Sequence, residues 1–433
     1  MNAYAKVGST EAAFQAEATL EDLLQRAKAD EKEDKDQDDE RSRLVLVRPD
    51  TIVFNSVIQC WATSGDVRAG KKSQQLLEQM KELAGSSSGG DSEDKIEKIY
   101  FDTRPDIITY NTVISAWSRC GKKNAAPRAE KIVKDLMVEL EENQDADLTS
   151  VVADTITFNT VLSAWSKTKL DGATARAGKL LEYMIESNNS EIKPDVYSFT
   201  CVMDTWAKSK EPNKASHTQK LLSQLKKMHQ EALEDGDKRR ADALMPSQIP
   251  YNTVLNACAF SAMNTTKEER REAIQIAVNT FKSMSPLDSP SRRNGNQNIV
   301  SRDTVSYGLM LKSIANLMPR GAVRSRMALQ IFHDCCDDGL VGYLVWNEVR
   351  RAVPMKLLQE ACRIRKSLGS MEAKDLPGEW TFNCKERRFN NHRRSKQNTR
   401  DKKSKDKSGD PSKTEEKGNT FIIERSWATG EDM

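Results

Sequence analysis

The sequence predicts an all-α protein: a right-handed α-solenoid of helix-turn-helix repeats with long inserts between the repeats. Three observations support this prediction. A short motif recurs along the 433-residue chain, and its apolar residues follow the period of an α-helix. Each copy is also too small to bury its apolar face alone. Stacking the copies side by side buries those faces in one continuous core.

The recurring motif is clearest in "RPDIITYNTVISAWSRCGKK" (104–123) and "DTITFNTVLSAWSKTK" (154–169). An aromatic residue and its successor align the copies at Phe54-Asn55, Tyr110-Asn111, Phe158-Asn159, Phe199-Thr200, Tyr251-Asn252 and Tyr307-Gly308. A tryptophan or a smaller apolar residue follows at a constant distance: Trp61, Trp117, Trp165, Trp206, Cys258 and Ile314. Spacings that recur in this way indicate an array of repeats.

Each copy is predicted to form two antiparallel helices. The first helix of the second copy has apolar residues at the spacing i, i+3, i+4 and i+7, namely Tyr110, Val113, Ile114 and Trp117. A second stretch with helical spacing begins at Ile132. Aspartate, often after proline, precedes the first helices. Because proline disfavours helix in the residue before it and aspartate suits a helix N-terminus, these residues mark where the first helices begin.

The same pattern predicts the domain organisation. Residues 1–28 correspond to the second helix of a truncated repeat, 29–47 to an acidic linker and 48–338 to about six repeats. Residues 339–384 are predicted to be capping helices, and 385–433 a basic, low-complexity, disordered tail. The inserts at 85–94 and 285–298 have loop composition, so they either bulge from the solenoid edge or separate the helix pairs. The beginning of the chain indicates a broken cap or, as we favour, a missing upstream part.

Composition excludes some classes of protein. The chain has 67 Lys and Arg against 64 Asp and Glu, and a net charge of +3 indicates no particular partner. No stretch approaches the roughly 18 apolar residues of a membrane span, so we expect no membrane partner. The eight cysteines are scattered without a C-x-x-C pair, which is typical of a reducing, intracellular compartment.

Motifs of catalysis are missing from the sequence. The "FHDCCDDG" stretch (332–339) places its metal-capable residues too close together on one helix end to converge on an ion. The chain contains no P-loop, no glycine-rich dinucleotide turn, and no H-x-E with a distant C-x-x-C. We therefore expect no enzyme activity, catalytic residue, metal, cofactor or small-molecule substrate, and we expect a monomer.

The motif resembles the pentatricopeptide repeat family, whose signature is visible in 104–137, 153–184 and 193–228. The resemblance extends over about residues 2–336, although the inserts make the copies longer than the family's repeat. It implies a protein that binds single-stranded RNA in a mitochondrion or plastid, where other RNA-processing proteins would be further partners. No targeting segment is visible at the start of the sequence. The resemblance also implies that each repeat holds about one base.

The resemblance implies two sets of RNA-binding residues. The residues implied to read base edges are Asn55 with Asp106, Asn111 with Asp154, Asn159 with Asp195, Thr200 with Ser247, and Asn252 with Asp303. Those implied to pack on base faces are Ile52, Ile108, Ile156, Tyr197, Ile249 and Val305. Asparagine with aspartate implies uracil and threonine implies a purine, which gives a U-U-U-purine-U core. Gly308 has no side chain and is expected to read no base.

The residues themselves leave alternatives open. The four aspartates are explained fully as helix N-caps, whereas the asparagines lie beyond the first turn and are not. The tryptophans are interpreted as packing between helices. Residues 385–407 contain eleven Lys or Arg against three acids, so the tail either binds phosphates or is merely solvated. The alternative function is a protein-binding helical scaffold, in which the recurring asparagine would be expected to vary.

Overall fold

The structure is a computed structural model that describes residues 2–33, 49–85, 103–142, 152–261, 266–286, 300–362 and 376–384. The predicted tail lies outside these residues, as do most of the acidic linker and of the inserts at 85–94 and 285–298. Over the described residues the fold is all-α, as predicted, and its helix packing is compatible with a helical repeat. These residues form no strand, and Ser285 and Ser301 make an isolated bridge.

The chain divides into two compact units, of which the first comprises Met1–Glu211 and Lys220–Met245. Its helices are α1 (Asn2–Val7), α2 (Thr10–Glu33), α3 (Thr51–Thr63), α4 (Ala69–Gly85), α5 (Ile107–Arg119), α6 (Ala125–Glu142), α7 (Thr155–Lys167), α8 (Ala173–Glu186), α9 (Val196–Lys208), most of α10 (Lys214–Glu234) and α11 (Lys238–Leu244). A 3₁₀ turn spans Ser190–Ile192. Helix α2 continues to Glu33, into the segment predicted as a linker.

The second unit comprises Pro212–Gln219 and Pro246–Met433. Its helices are α12 (Gln248–Ala259), α13 (Lys267–Lys282), α14 (Thr304–Leu317), α15 (Ala322–Asp337), α16 (Tyr343–Ala352), α17 (Met355–Cys362) and α18 (Gly378–Thr381). Helix α13 begins with a capping box, since Thr266 accepts from the amide of Glu269 and the Glu269 carboxylate accepts from the amide of Thr266.

Within each unit the helices pack in a recurring order. First helices contact the first helices of the next repeat, as α3 does with α5, α5 with α7, α7 with α9, and α12 with α14. Each of the second helices α4, α6 and α13 also lies between two first helices, its own and the following one. This order explains how the single apolar face of each repeat is buried by the neighbouring repeats.

The recurring aromatic residues form the core. All six aromatic members of the motif are buried, from Phe54 to Tyr307. Trp61, Trp117 and Trp165 are buried as well, and Trp206 is half-buried. The prediction that the tryptophans pack between helices is thereby confirmed, since an indole ring buries a large apolar area.

A further first helix follows the six predicted copies. Helix α16 packs on α14 as the first helix of a next repeat would, and Trp346 is buried in the aromatic position of the motif. Asn347 follows this tryptophan, as asparagine does in four earlier copies. The segment predicted as capping helices therefore continues the register of the repeat, although Gly342 replaces the aspartate at the helix start.

None of the eight cysteines forms a disulfide, and most are buried. Burial raises the pKa of Cys201 to about 12, so this thiol stays protonated near neutral pH. Among the described residues, no helix combines the length and the apolar composition that crossing a membrane requires.

Two helical glycines give a test of the packing. A Cβ added at Gly70 in α4 would lie 2.5 Å from the Trp117 ring, whereas one at Gly178 in α8 would meet no atom within 4 Å. We expect Gly70→Ala to destabilise the protein by about 1–3 kcal/mol through overpacking. Gly178→Ala should stabilise it by about 0.5–1 kcal/mol, because alanine favours helix. Urea unfolding of both variants measures the two effects, and equal effects would contradict the close packing of α4 on Trp117.

Candidate nucleic-acid interface

The candidate site is built on the aspartates that begin the first helices. Asp106, Asp154, Asp195 and Asp303 each have extended backbone and accept a hydrogen bond from the amide three residues later, at 2.7–2.8 Å. Each aspartate therefore satisfies a backbone N–H that the first helical turn leaves without a partner. The alternative of helix capping, derived from the sequence, is confirmed for all four residues.

Three of these aspartates also bind the asparagine of the preceding repeat. Asn55 Nδ2 donates to Asp106 Oδ1 at 3.1 Å. Asn159 Nδ2 lies 3.2 Å from both oxygens of Asp195. Asn252 Nδ2 lies 3.2 and 3.3 Å from the oxygens of Asp303. The predicted pairs thus come together across neighbouring first helices.

A hydroxyl group completes each of these three clusters. Thr109, Ser198 and Ser306 stand three residues after the capping aspartate, and their hydroxyls donate to the asparagine Oδ1 at 2.6, 2.6 and 2.7 Å respectively. The amide nitrogen then faces the carboxylate and the amide oxygen faces the hydroxyl. These hydroxyl groups were not predicted, although an aspartate followed three residues later by Ser or Thr marks them in the sequence.

The pair of Asn111 and Asp154 is different. No hydrogen bond joins these two side chains, and the Asn111 Oδ1 atom is buried without a partner among the described residues. The Thr157 hydroxyl instead donates to Asp154 alone, at 2.8 Å. Asn111 and Asp154 hold the same positions in the motif as the members of the other pairs, so the sequence could not distinguish this pair.

The remaining predicted positions are occupied in other ways. The Thr200 hydroxyl donates to the Val196 carbonyl of its own helix at 2.6 Å. Ser247 caps α12 by accepting from the amide of Ile249. Thr200 belongs to the first unit and Ser247 to the second. At Gly308, an added Cβ would lie 2.5 Å from the Leu344 side chain, which fills the position of the base-edge residue.

The residues predicted to pack on bases recur at one position of the first helices, and most of them are exposed. We call the exposed ones, Ile52, Ile108, Ile156, Tyr197 and Ile249, the apolar row. Ile52, Ile108, Ile156, Tyr197 and Ile249 each stand two positions after a helix N-cap and expose between 41% and 69% of their surface. Val305 is half-buried. Exposed large apolar residues that recur at one structural position indicate a binding surface. Desolvation raises the pKa of the Tyr197 phenol, which therefore remains protonated at neutral pH.

The asparagines behind these side chains are largely covered. Asn252 is 3% exposed and Asn159 is 7% exposed, while Asn55 and Asn111 are half-buried. A buried amide keeps one hydrogen and one lone pair beyond the bonds described above. The apolar side chains are consequently the more accessible part of the candidate site.

Basic side chains end three of these first helices, α5, α7 and α9. Arg119, Lys167 and Lys208 each follow a motif tryptophan by two residues and are exposed. Lys167 Nζ donates to the Ser118 hydroxyl at 3.2 Å, and Lys208 Nζ to the Ser166 carbonyl at 3.3 Å. Desolvation lowers the pKa of Lys167, and Arg119 and Lys208 lower it further by repulsion. This basic ladder (Arg119, Lys167 and Lys208) went unnoticed in the sequence, although its constant spacing from the tryptophan is visible there.

Comparison with known proteins gives no relative from which a role could be transferred. No protein-family model matches the chain, and no curated protein matches it.

The contrast between two asparagine pairs can be measured. In a double-mutant cycle of Asn159→Ala and Asp195→Ala, we expect a coupling free energy of about 0.5–1.5 kcal/mol, because the side chains share a hydrogen bond to a charged group. The matched cycle of Asn111→Ala and Asp154→Ala should give less than about 0.5 kcal/mol. Urea unfolding measures both values. Equal coupling in the two cycles would contradict the geometry described here.

Proposed function

We propose that the chain binds single-stranded RNA as a right-handed solenoid of pentatricopeptide-type repeats, with about one base held per repeat. The observation that carries this proposal is the exposed apolar side chain at the same position of five first helices, Ile52, Ile108, Ile156 and Tyr197 in the first unit and Ile249 in the second. Unstacked bases have two apolar faces that are poorly hydrated, and proteins bind single strands by covering these faces. A base placed between two members of the row would be covered on both sides.

The amides would supply base selection. An asparagine oriented by its hydroxyl and carboxylate neighbours presents a fixed donor and acceptor, which can pair with the edge of a pyrimidine. With asparagine and aspartate at four positions and Thr200 between the last two, the preferred core is U-U-U-purine-U. Because Leu344 occupies the space beside Gly308, no base edge is read there.

The basic ladder would contact the strand's phosphates. Its members are exposed and follow one another on successive first helices. Each neutralised phosphate of a single strand lowers the slope of log K against log salt by about 0.7. A phosphate between Arg119 and Lys167 would be attracted by both cations, whereas Lys208 already forms an ion pair with Asp204 at 2.7 Å.

The setting of this activity follows from the same resemblance. We propose RNA metabolism in a mitochondrion or plastid, by processing, stabilisation, splicing or translation, with other RNA-processing proteins as additional partners. The chain itself would act without catalysis, by holding the strand.

The alternative is a protein-binding scaffold. The burial of Asn159 and Asn252 favours it, because amides that are fully engaged between helices need no RNA to explain them. In that case the apolar row would bind an apolar peptide segment. Substitution of the asparagines distinguishes the two functions, because it would change base preference only if the asparagines read bases.

Base selection can be tested at one position. We expect the chain to bind a strand containing U-U-U-A-U about tenfold more tightly than one containing U-U-A-A-U, a difference of about 1.4 kcal/mol. Asn159→Thr should remove or reverse this preference. Asn279→Thr on the second helix α13 is the matched control and should leave it unchanged. Fluorescence anisotropy measures the affinities. Equal binding of oligo-A and oligo-U would refute the proposed readout.

The apolar row can be tested by a matched pair of variants. Ile156 and Val323 are both exposed, β-branched and apolar, but Val323 lies on the second helix α15. We expect Ile156→Ser to weaken RNA binding about tenfold, since base-face contacts contribute about 1–3 kcal/mol each. Val323→Ser should have no effect on binding. Thermal unfolding should change by less than about 0.5 kcal/mol in either variant. If both variants bind RNA like the parent chain, the row is not the binding surface.

A further inference from the structure

A cavity of about 300 Å³ lies in the first unit, between α6, α7 and α8. Its apolar lining includes Val133 and Met137 of α6, Phe158 and Val161 of α7, and Leu180 of α8. Its volume is at the lower end of the roughly 300–1,000 Å³ that small-ligand pockets occupy. No residue of the asparagine clusters, the apolar row or the basic ladder lines this cavity. It is therefore separate from the proposed RNA site.

An aromatic pair leads from the cavity to solvent. The rings of Phe158 and Tyr183 are stacked, with centroids 5.6 Å apart and an interplanar angle of 24°. Phe158 is buried, whereas Tyr183 is 41% exposed. The cavity consequently has an apolar interior and an open end, which suits a ligand with an apolar ring or chain.

The charges at the cavity are arranged around one buried carboxylate. Glu130 accepts from Trp165 Nε1 at 3.0 Å and forms ion pairs with Lys134 at 2.8 Å and Arg176 at 3.2 Å. Its side chain is 5% exposed, while the two cations are more than half exposed. Glu130 is thus fully engaged with its neighbours and holds both cations near the opening.

The opening is nevertheless positively charged. Lys134, Arg176 and Lys179 carry three positive charges against the single negative charge of Glu130, which leaves +2 among the lining residues. Lys179 is exposed, and no carboxylate of the described residues pairs with it. An anion at this opening would therefore gain attraction without competing for an existing partner of Lys179.

We propose that this cavity binds a small amphipathic anion, a molecule with an apolar chain or ring and a carboxylate or sulfonate head. The apolar part would lie between Val133 and Leu180 and against the aromatic pair, and the head would lie beside Lys179. The complementarity has two components, an apolar interior and a cationic rim. A neutral apolar molecule matches only the first, and a cationic amphiphile opposes the second. Ligand binding in this cavity does not depend on RNA binding elsewhere on the chain.

The experiment uses the full chain and the fluorescent anion anilinonaphthalene sulfonate, whose emission rises in apolar surroundings. We expect one saturable site per chain, from which decanoate displaces the probe. Decyltrimethylammonium has a chain of the same length and the opposite charge, and it should displace the probe at least about tenfold less effectively. Equal displacement by the two amphiphiles would show an unspecific apolar surface and overturn the proposal, as would the absence of saturable binding.

Three variants locate the site. Leu180→Trp fills the cavity and should weaken probe binding at least about tenfold, and Lys179→Glu should weaken it about fivefold. Lys220→Glu, on α10 and away from the cavity lining, is the charge-matched control and should bind like the parent chain. Met137→Trp is a second filling variant, used if thermal unfolding shows that Leu180→Trp does not fold. Unchanged binding in a folded filling variant would place the probe elsewhere and refute the assignment. RNA affinity of these variants should remain that of the parent chain.

Discussion

The carboxylate at the start of each first helix joins local structure to the packing of neighbouring repeats. Asp195 shows the principle most completely, because it accepts from the backbone amide of Ser198 and from the amide of Asn159 on the preceding first helix. The first bond fixes where α9 begins, and the second fixes how α9 sits against α7. A helix start and an inter-helix register are therefore set by one side chain, and residues at fixed distances from it acquire fixed positions.

This constraint explains the order of the exposed row. Ile156 and Tyr197 both stand two residues after a capping aspartate, so the junctions between first helices set their separation. The amides lie behind the row and are mostly engaged in those junctions. Structural and recognition roles thus fall on the same residues: an oriented amide stabilises the junction in the free protein and would present a defined edge to a base. Asn111, which lacks these bonds, shows that the junction also forms without them.

A buried carboxylate, Glu130, contributes to the packing in a different way. Glu130 binds the Trp165 indole N–H, whereas Trp117, one repeat earlier, packs against Gly70 and its indole nitrogen has no partner within the described part of the chain. The tryptophan recurs because a large ring is needed between the helices, but the residues beneath it vary. Glu130 also forms ion pairs with Lys134 and Arg176, and all three residues line the cavity between α6, α7 and α8.

The sequence by itself determined the helices, their starts and their buried residues. Asp106 acts through a local hydrogen bond, and Tyr110 and Trp117 through the apolar periodicity of the helix. Both features can be predicted from the spacing of residues along the chain. Only the tertiary structure decided which asparagines meet an aspartate, that Leu344 fills the space beside Gly308, and that α16 continues the repeat. These outcomes depend on distances between helices that are far apart in sequence, and spacing along one chain does not encode such distances. The cavity beside Glu130 arises for the same reason, since its lining comes from three helices that each have an ordinary sequence.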